Sequence, residues 1–368
     1  MYRLDYTTIS NSVTKYKNEI GSANDQNSLY STISKNLDQV FFNVHNSKLA
    51  KGRKQKYKDY VSFIKNNLFD ILNMSFDRMK MVVEKQLQKS DPFYILCDPD
   101  IDLTKKISCN VIDPQTGKNI LYKSGKKKGK VKKENRKFHE IIVDAMKYDC
   151  VRGIMCSCFQ ERSINACVYC NAQYLLTYKH EKKVMSTMQI DHYFDKAEWP
   201  CFSSSFFNFQ PSCGYCNQKK SKNSVLFYLY TSKPDEKDPF RFEIPASELA
   251  AFLIDYSKEI SLKFGESATE FKTMADNHNK IFHISELYNS NFLEIIKKFI
   301  KRKKFLYKIL NHYRNSFKIE ESILKMSYNE IYFDFIDDSE KIHTEPLTKL
   351  KQDINDQVEP LIAGIYSP

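Results

Sequence analysis

The sequence predicts an α+β protein built mainly of helix. Three observations carry that expectation. Glycine and proline are scarce, with 9 and 11 in 368 residues, too few for an all-β chain full of tight turns. Apolar residues recur at three- and four-residue steps in both outer thirds, the spacing of amphipathic helices. Strand patterns are short and isolated. A chain of this length buries a sizeable core without cross-links and has room for two or three modest domains. We expect an N-terminal helical region with a small β-hairpin over residues 1–150. A chemically distinctive unit over 151–232 and a basic helical region over 233–368 follow.

Taken in order, Tyr57, Tyr60, Val61, Ile64, Leu68, Ile71 and Leu72 make the apolar face of a helix expected to run on towards Leu87. Residues 93–97 read as a short strand. Residues 107–112 and 119–122 flank Asp113-Pro114-Gln115-Thr116-Gly117, which is hairpin turn chemistry. The run Lys126, Lys127, Lys128, Lys130, Lys132 and Lys133, with Gly125 and Gly129, reads as a solvated flexible loop. Its sharper reading is an arm that contacts phosphates. A helix over 134–149 puts Phe138, Ile141, Ile142 and Ala145 on one face. Residues 184–190 and 225–230 read as strands, and Ser247 as the cap of a helix through Tyr256. A longer helix starts near Ser285, with Phe292, Ile296, Phe299, Leu306, Leu310 and Tyr313 as its apolar stripe. Lys297, Lys298, Lys301, Arg302, Lys303 and Lys304 crowd its other side, as a solvated face or a second nucleic-acid contact.

The net charge is +12. A basic surface of that size suits a polyanion such as nucleic acid; a generally lysine-rich composition is the plainer explanation. No run of 18 apolar residues occurs, so no membrane span is expected. The start Met-Tyr-Arg-Leu-Asp-Tyr lacks the features of a signal peptide. A cytoplasmic location with reduced thiols is the expectation. The ten cysteines then need a reason, and most of them fall between Cys150 and Cys216.

Cys167-Val-Tyr-Cys170 and Cys213-Gly-Tyr-Cys216 are two C-x-x-C pairs. Four thiolates at this spacing can surround one zinc ion and leave no site open, which makes it a structural centre. Cys156 and Cys158 read as bystanders, and Cys97 and Cys109 as small core residues. Between the pairs lies Gln189-Ile190-Asp191-His192, a carboxylate and an imidazole side by side at the end of a strand pattern. One can bind a cation while the other takes a proton from water. Asn208 stands five residues before the third cysteine, Asn217 directly follows the fourth, and Lys220 comes three later. Trp199, Phe202, Phe206, Phe207 and Phe209 read as a small core around this motif, with base stacking as the lesser reading.

This ordered set resembles the HNH endonucleases, or His-Me finger nucleases, in the branch whose zinc is held by two C-x-x-C pairs. Ile190-Asp191-His192, Trp199-Pro200, Ser205-Phe206-Phe207-Asn208-Phe209, Pro211-Ser212-Cys213 and Cys216-Asn217 resemble HNH nucleases associated with bacterial defence against phage. Nuclease subunits of Septu-like and retron-linked systems are of that kind. The resemblance covers about 167–220 and implies a central ββα-metal unit. In it His192 is the general base, Asp191 binds the catalytic cation, Asn208 orients the histidine loop and Asn217 completes the cation site. Cys167, Cys170, Cys213 and Cys216 hold a structural Zn²⁺. Lys220, Lys219, Lys126, Lys127 and Lys128 are the candidate nucleic-acid contacts. An asparagine in place of a third histidine favours Mg²⁺ or Mn²⁺ as the catalytic ion. Phe194-Asp195-Lys196 departs from the proline-lysine pair often found there. The implied activity is phosphodiester hydrolysis in DNA, with a partner ATPase and a homodimer left open. RNA cleavage, and a non-catalytic zinc module that binds nucleic acid or a partner protein, are the competing expectations.

Overall fold

The computed structural model describes residues 1–111, 119–181, 183–221, 223–317 and 336–366. They form a mainly helical α+β protein with small two-stranded sheets. The chain divides into two compact units, and neither is one continuous span.

The first unit comprises residues 10–158 and 192–209. Its helix Leu29–His45 starts at Ser28, whose side chain accepts from Ser31 N. The single helix expected from Tyr57 is three: Lys51–Asn66, Leu68–Leu72 and Phe76–Val83. Asn67 and Asn73 break it by turning their amides back onto the carbonyls of Phe63 and Phe69. Ser75 starts the third piece by accepting from Arg78 N. The predicted apolar face survives these breaks, with Tyr57, Tyr60, Val61, Ile64, Leu68, Ile71 and Leu72 all buried.

Residues 92–97 form a 3-10 helix rather than a strand. Asp91 accepts from Phe93 N, and Pro92 supplies the fixed φ of a first helical position. The expected hairpin is present in part, where Ile120 N donates to Val111 O at 2.8 Å, and further pairings join it. Lys106–Asn110 runs antiparallel to Lys133–Lys137, while the segment at Leu121 bridges to Val131. The turn at 113–117 lies outside the described residues. Part of the lysine-rich segment is therefore strand, and the helix expected from 134 starts at Phe138. It ends at Ala145, and Lys147, with φ of 58°, turns the chain into a new helix, Tyr148–Glu161. Phe138, Ile141, Ile142 and Ala145 are buried, and Phe138 packs on Tyr57 with ring centroids 4.7 Å apart.

The second unit comprises residues 1–9, 159–191 and 210–368. Leu4–Asp5 pairs in parallel with Tyr230–Thr231, so of the strand expected over 225–230 only its last residue is in a strand. Phe240–Glu243 pairs with Lys263–Glu266. The helix Ala246–Ile254 has Pro245, not Ser247, at its cap position. The helix expected near Ser285 is two, Ile284–Asn291 and Leu293–Phe317. Ile296, Phe299 and Leu306 of its stripe are buried; the side chains of Leu310 and Tyr313 lie outside the described residues. Two of the six cations on its basic side are paired within the unit, Lys297 with Glu259 and Glu294 and Lys303 with Glu359.

The strand expected over 184–190 divides. Lys183–Ser186 pairs with Thr177–His180, and a separate strand, Gln189–His192, pairs with Phe209–Ser212. The short helix Gly214–Lys220 follows directly. The chain passes from the second unit to the first between Asp191 and His192, and back between Phe209 and Gln210. Among the described residues no helix is long and apolar enough to cross a membrane.

Candidate metal centre and candidate catalytic residues

Cys167 and Cys170 lie in a tight turn, Cys213 caps the helix Gly214–Lys220, and Cys216 sits in its first turn. All four are buried, and their sulfurs lie within 4.8 Å of one another. A tetrahedral zinc with bonds of about 2.3 Å holds sulfurs about 3.8 Å apart, so the cluster is close enough for a metal such as zinc. Backbone N–H groups face the sulfurs: Ala172 N to Cys170 Sγ at 3.4 Å, Cys213 N to Cys167 Sγ at 3.3 Å and Cys216 N to Cys213 Sγ at 3.4 Å. Such donors stabilise thiolates. Hydrogen bonds from Cys167, Cys170 and Cys216 drive the Cys213 thiol far below its ordinary range, while those of Cys170 and Cys216 are pushed up.

The turns are held from outside as well. Val168 N donates to Pro211 O at 3.2 Å and so ties the two cysteine pairs together. Tyr288 Oη donates to Cys170 O at 2.6 Å. Asn171, at φ of 50°, donates to Ile342 O and accepts from Lys349 N. Cys156 and Cys158 are buried elsewhere, in the helix Tyr148–Glu161. Cys97 and Cys109 are buried too.

Each cysteine pair also delivers one side chain to Asp191. Tyr169, inside the first pair, donates its hydroxyl to Asp191 Oδ2 at 2.7 Å. Lys220, one helical turn beyond Cys216, places its ammonium 3.0 Å from Oδ2 and 3.2 Å from Oδ1. The family resemblance assigns Lys220 to a phosphate. It is instead buried, 6 % exposed, with its charge committed to a carboxylate that is itself 9 % exposed. An unpaired ammonium at that depth would be costly, and the Asp191 carboxylate supplies the partner it needs. Asn217, three residues before Lys220 on the same helix face, is half-buried. Lys219 is exposed beside the ring of Tyr215.

His192 sits in the first unit. Its Nε2 lies 2.8 Å from Ser203 O, and its ring packs against Tyr148 and Phe209 with centroids 4.6 and 5.2 Å away. A carbonyl can only accept, so Nε2 carries the proton and Nδ1 of the neutral ring carries the lone pair. Three consecutive serines fix that carbonyl. Ser203 Oγ donates to Pro200 O, Ser204 Oγ to Met146 O and Ser205 Oγ to Ile71 O, each at 2.7 Å. Asn208 is fully buried and clamps the intervening loop. Its Oδ1 accepts from Phe194 N at 2.8 Å, and its Nδ2 donates to Phe202 O at 3.0 Å and Phe194 O at 3.2 Å. Phe202, Phe206, Phe207 and Phe209 are core, and Trp199 is half-buried above Phe202. Lys126, Lys127 and Lys128 are exposed around the turn Gly125–Lys127.

Sequence reasoning missed Tyr169, Tyr148, Ser203 and Ser204, and placed Ser205 in the motif without a role. A tyrosine at the last variable position of a C-x-x-C turn was the one available signal, since it recurs as Tyr215 in the second pair. The serines bond only to backbone and left no pattern to read. Neither a protein-family model nor a curated protein nor a solved structure matches the chain.

Proposed function

We propose that the chain is a metal-dependent endonuclease of the HNH kind that hydrolyses phosphodiester bonds in DNA. The observation that carries this reading is the bond between His192 Nε2 and Ser203 O. It holds the imidazole in the tautomer whose Nδ1 can take a proton from water, the requirement for a general base near neutral pH. The order of elements supports the same reading: a strand ending in Asp191-His192, a strand entered from Asn208, and a helix bearing Asn217. A cation held by Asp191 and Asn217 would neutralise charge on the phosphate and on the leaving oxygen. Asp191 and Asn217 offer oxygen donors, which fit Mg²⁺ or Mn²⁺. The cysteine cluster would hold the structural Zn²⁺ and, through Tyr169 and Lys220, orient the Asp191 carboxylate. Asn208 holds the loop from Phe194 to Phe202 in register behind His192. By its resemblance to phage-defence nucleases, the chain would serve as an effector, licensed by a partner ATPase.

A second reading has one observation in its favour. The buried pair of Lys220 and Asp191 already satisfies the carboxylate, as a non-catalytic zinc module would require. Purified protein, plasmid DNA and a structured RNA, with Mg²⁺ or Mn²⁺, separate the readings. DNA cleavage that His192→Ala reduces by about 10²–10⁴-fold, with one zinc retained per chain, is the expected result. Cleavage untouched by that substitution, or none at all with any known trigger, would sink the nuclease reading.

A further inference from the structure

The ribbon formed by Lys106–Asn110 and Lys133–Lys137 has two unlike faces. On the inner face Ile107 and Cys109 are buried. Opposite them stand Arg136 and Glu134, and Arg136 is held by Glu134 and Asp144. On the outer face Lys106, Ser108 and Asn110 stand directly opposite Lys137, Asn135 and Lys133. That face carries three cations and no acid. Lys106 and Lys137 are cross-strand partners, an arrangement that disfavours the strand pair unless an anion comes between them. None of the three lysines makes an ion pair with a described residue. Some surface lysines elsewhere do, such as Lys65 with Asp38 and Lys233 with Glu236. Residues 119–133 extend the ribbon: Tyr122 N donates to Lys130 O and Gly129 N to Tyr122 O. That stretch adds Lys123, Lys126, Lys127, Lys128, Lys130 and Lys132, all exposed, and contains no acidic residue.

We propose that the outer face of this ribbon binds duplex DNA, with Lys106, Lys133 and Lys137 on phosphates and Ser108, Asn110 and Asn135 facing the groove. The assignment rests on the nuclease reading for its biological sense and goes beyond it by naming a surface and a substrate form. A two-stranded ribbon fits the major groove of B-form DNA, whereas the deep, narrow major groove of A-form RNA excludes it. Short hydroxyl and amide side chains between the cations suit a groove. The outer face has no apolar residue to enter a membrane surface.

The test measures binding without cleavage. Full-length protein carrying His192→Ala, with no added divalent cation, is titrated against a labelled DNA duplex across a range of salt. The same chain with Lys106→Gln, Lys133→Gln and Lys137→Gln is compared with a control of equal charge change, Lys48→Gln, Lys51→Gln and Lys89→Gln. The ribbon variant should lose about tenfold or more in affinity near physiological salt. Its slope of log affinity against log salt should fall by about 2.7, or about 0.9 for each phosphate that is no longer neutralised. The control, and an arginine version of the ribbon variant, should keep both. Circular dichroism of each variant excludes misfolding as the cause. Equal affinity and slope for ribbon and control variants would overturn the assignment. So would tighter binding to duplex RNA or to anionic vesicles than to DNA. A chain that binds DNA through the ribbon but never cuts it defeats only the nuclease reading. A chain that cuts DNA while the ribbon variant binds normally defeats only the ribbon.

Discussion

The ammonium of Lys220 lies 3.0 Å from Asp191 Oδ2, with both side chains nearly shut off from water. Removing one member of such a pair leaves the other charged and unmatched. Lys220→Met should therefore cost about 3–5 kcal/mol. Combining it with Asp191→Asn should return most of that loss, since the amide can still accept from Tyr169. Urea denaturation of the two single variants and the double variant measures the coupling. A Lys220→Met chain as stable as an ordinary surface variant would show that the pair does not form in solution.

The cysteine cluster makes a prediction about metal content. Cys216→Ser should remove zinc, from one ion per chain to nearly none, because structural zinc sites depend on all four thiolates. The melting temperature should fall with it, because a structural zinc site contributes folding energy outright. Cys150, which is exposed, serves as the comparison, and Cys150→Ser should change neither quantity. Elemental analysis beside a thermal melt decides the matter; full zinc content in Cys216→Ser would refute the four-sulfur centre.

Asn208 spans Phe194 and Phe202 with one acceptor and two donated bonds. Asn208→Ala should destabilise the protein by about 3 kcal/mol or more, since three buried backbone groups lose their partners at about 1–3 kcal/mol each. Asn208→Asp keeps the acceptor and loses the donors, and its carboxylate would be buried beside two carbonyls. It should be no more stable than the alanine variant. Chemical denaturation of the pair checks the order, and a fully stable Asn208→Asp protein would argue against this clamp.

Acid should weaken the second unit through two histidines. Burial lowers His278 and His343 to about 3, below their unfolded value of about 6.5. A group depressed in this way contributes stability that is complete above the unfolded value. That stability is lost as pH falls, at up to about 1.4 kcal/mol per pH unit for each histidine. Burial raises Asp353 to about 6. It acts in the opposite sense, with stability lost as pH climbs from about 4 to 6. For these three side chains together the effect is a decline from pH 6.5 downward, partly offset below 6. His278→Gln with His343→Gln should flatten the stability profile between pH 6.5 and 4. An unchanged slope would mean that these rings do not stay neutral in the folded chain.

The parts of the site that were legible in the sequence are those whose chemistry repeats at short range. Two C-x-x-C pairs announce a cluster because the same atom type recurs at a spacing that one ion can bridge. The apolar faces at Tyr57–Leu72 and at Phe138–Ala145 were legible for the same reason, since helical burial imposes a period. What was hidden depends on partners distant in sequence or on atoms that every residue has. Tyr169 meets Asp191 across 22 positions. The hydroxyls of Ser203, Ser204 and Ser205 meet backbone carbonyls. Lys220 looked like a surface cation because most lysines are. Asn67, Asn73 and Asp91 decided where helices stop and start, against a hydrophobic pattern that ran through them. The strand at Lys133–Lys137 has the composition of a loop and is held by its pairing to Lys106–Asn110.

The three serines carry a consequence for mutational tolerance. Each is fully buried and fills its place with one small donor. Threonine would add a methyl group to a packed interior, alanine would leave a carbonyl unanswered, and cysteine donates weakly. In a library selected for folding alone, positions 203–205 should therefore emerge as three adjacent sites that accept almost nothing but serine. Such a stripe of invariance looks like a catalytic motif. Here it would come from architecture, from hydroxyls that never meet a substrate and yet fix the carbonyl on which the His192 ring rests.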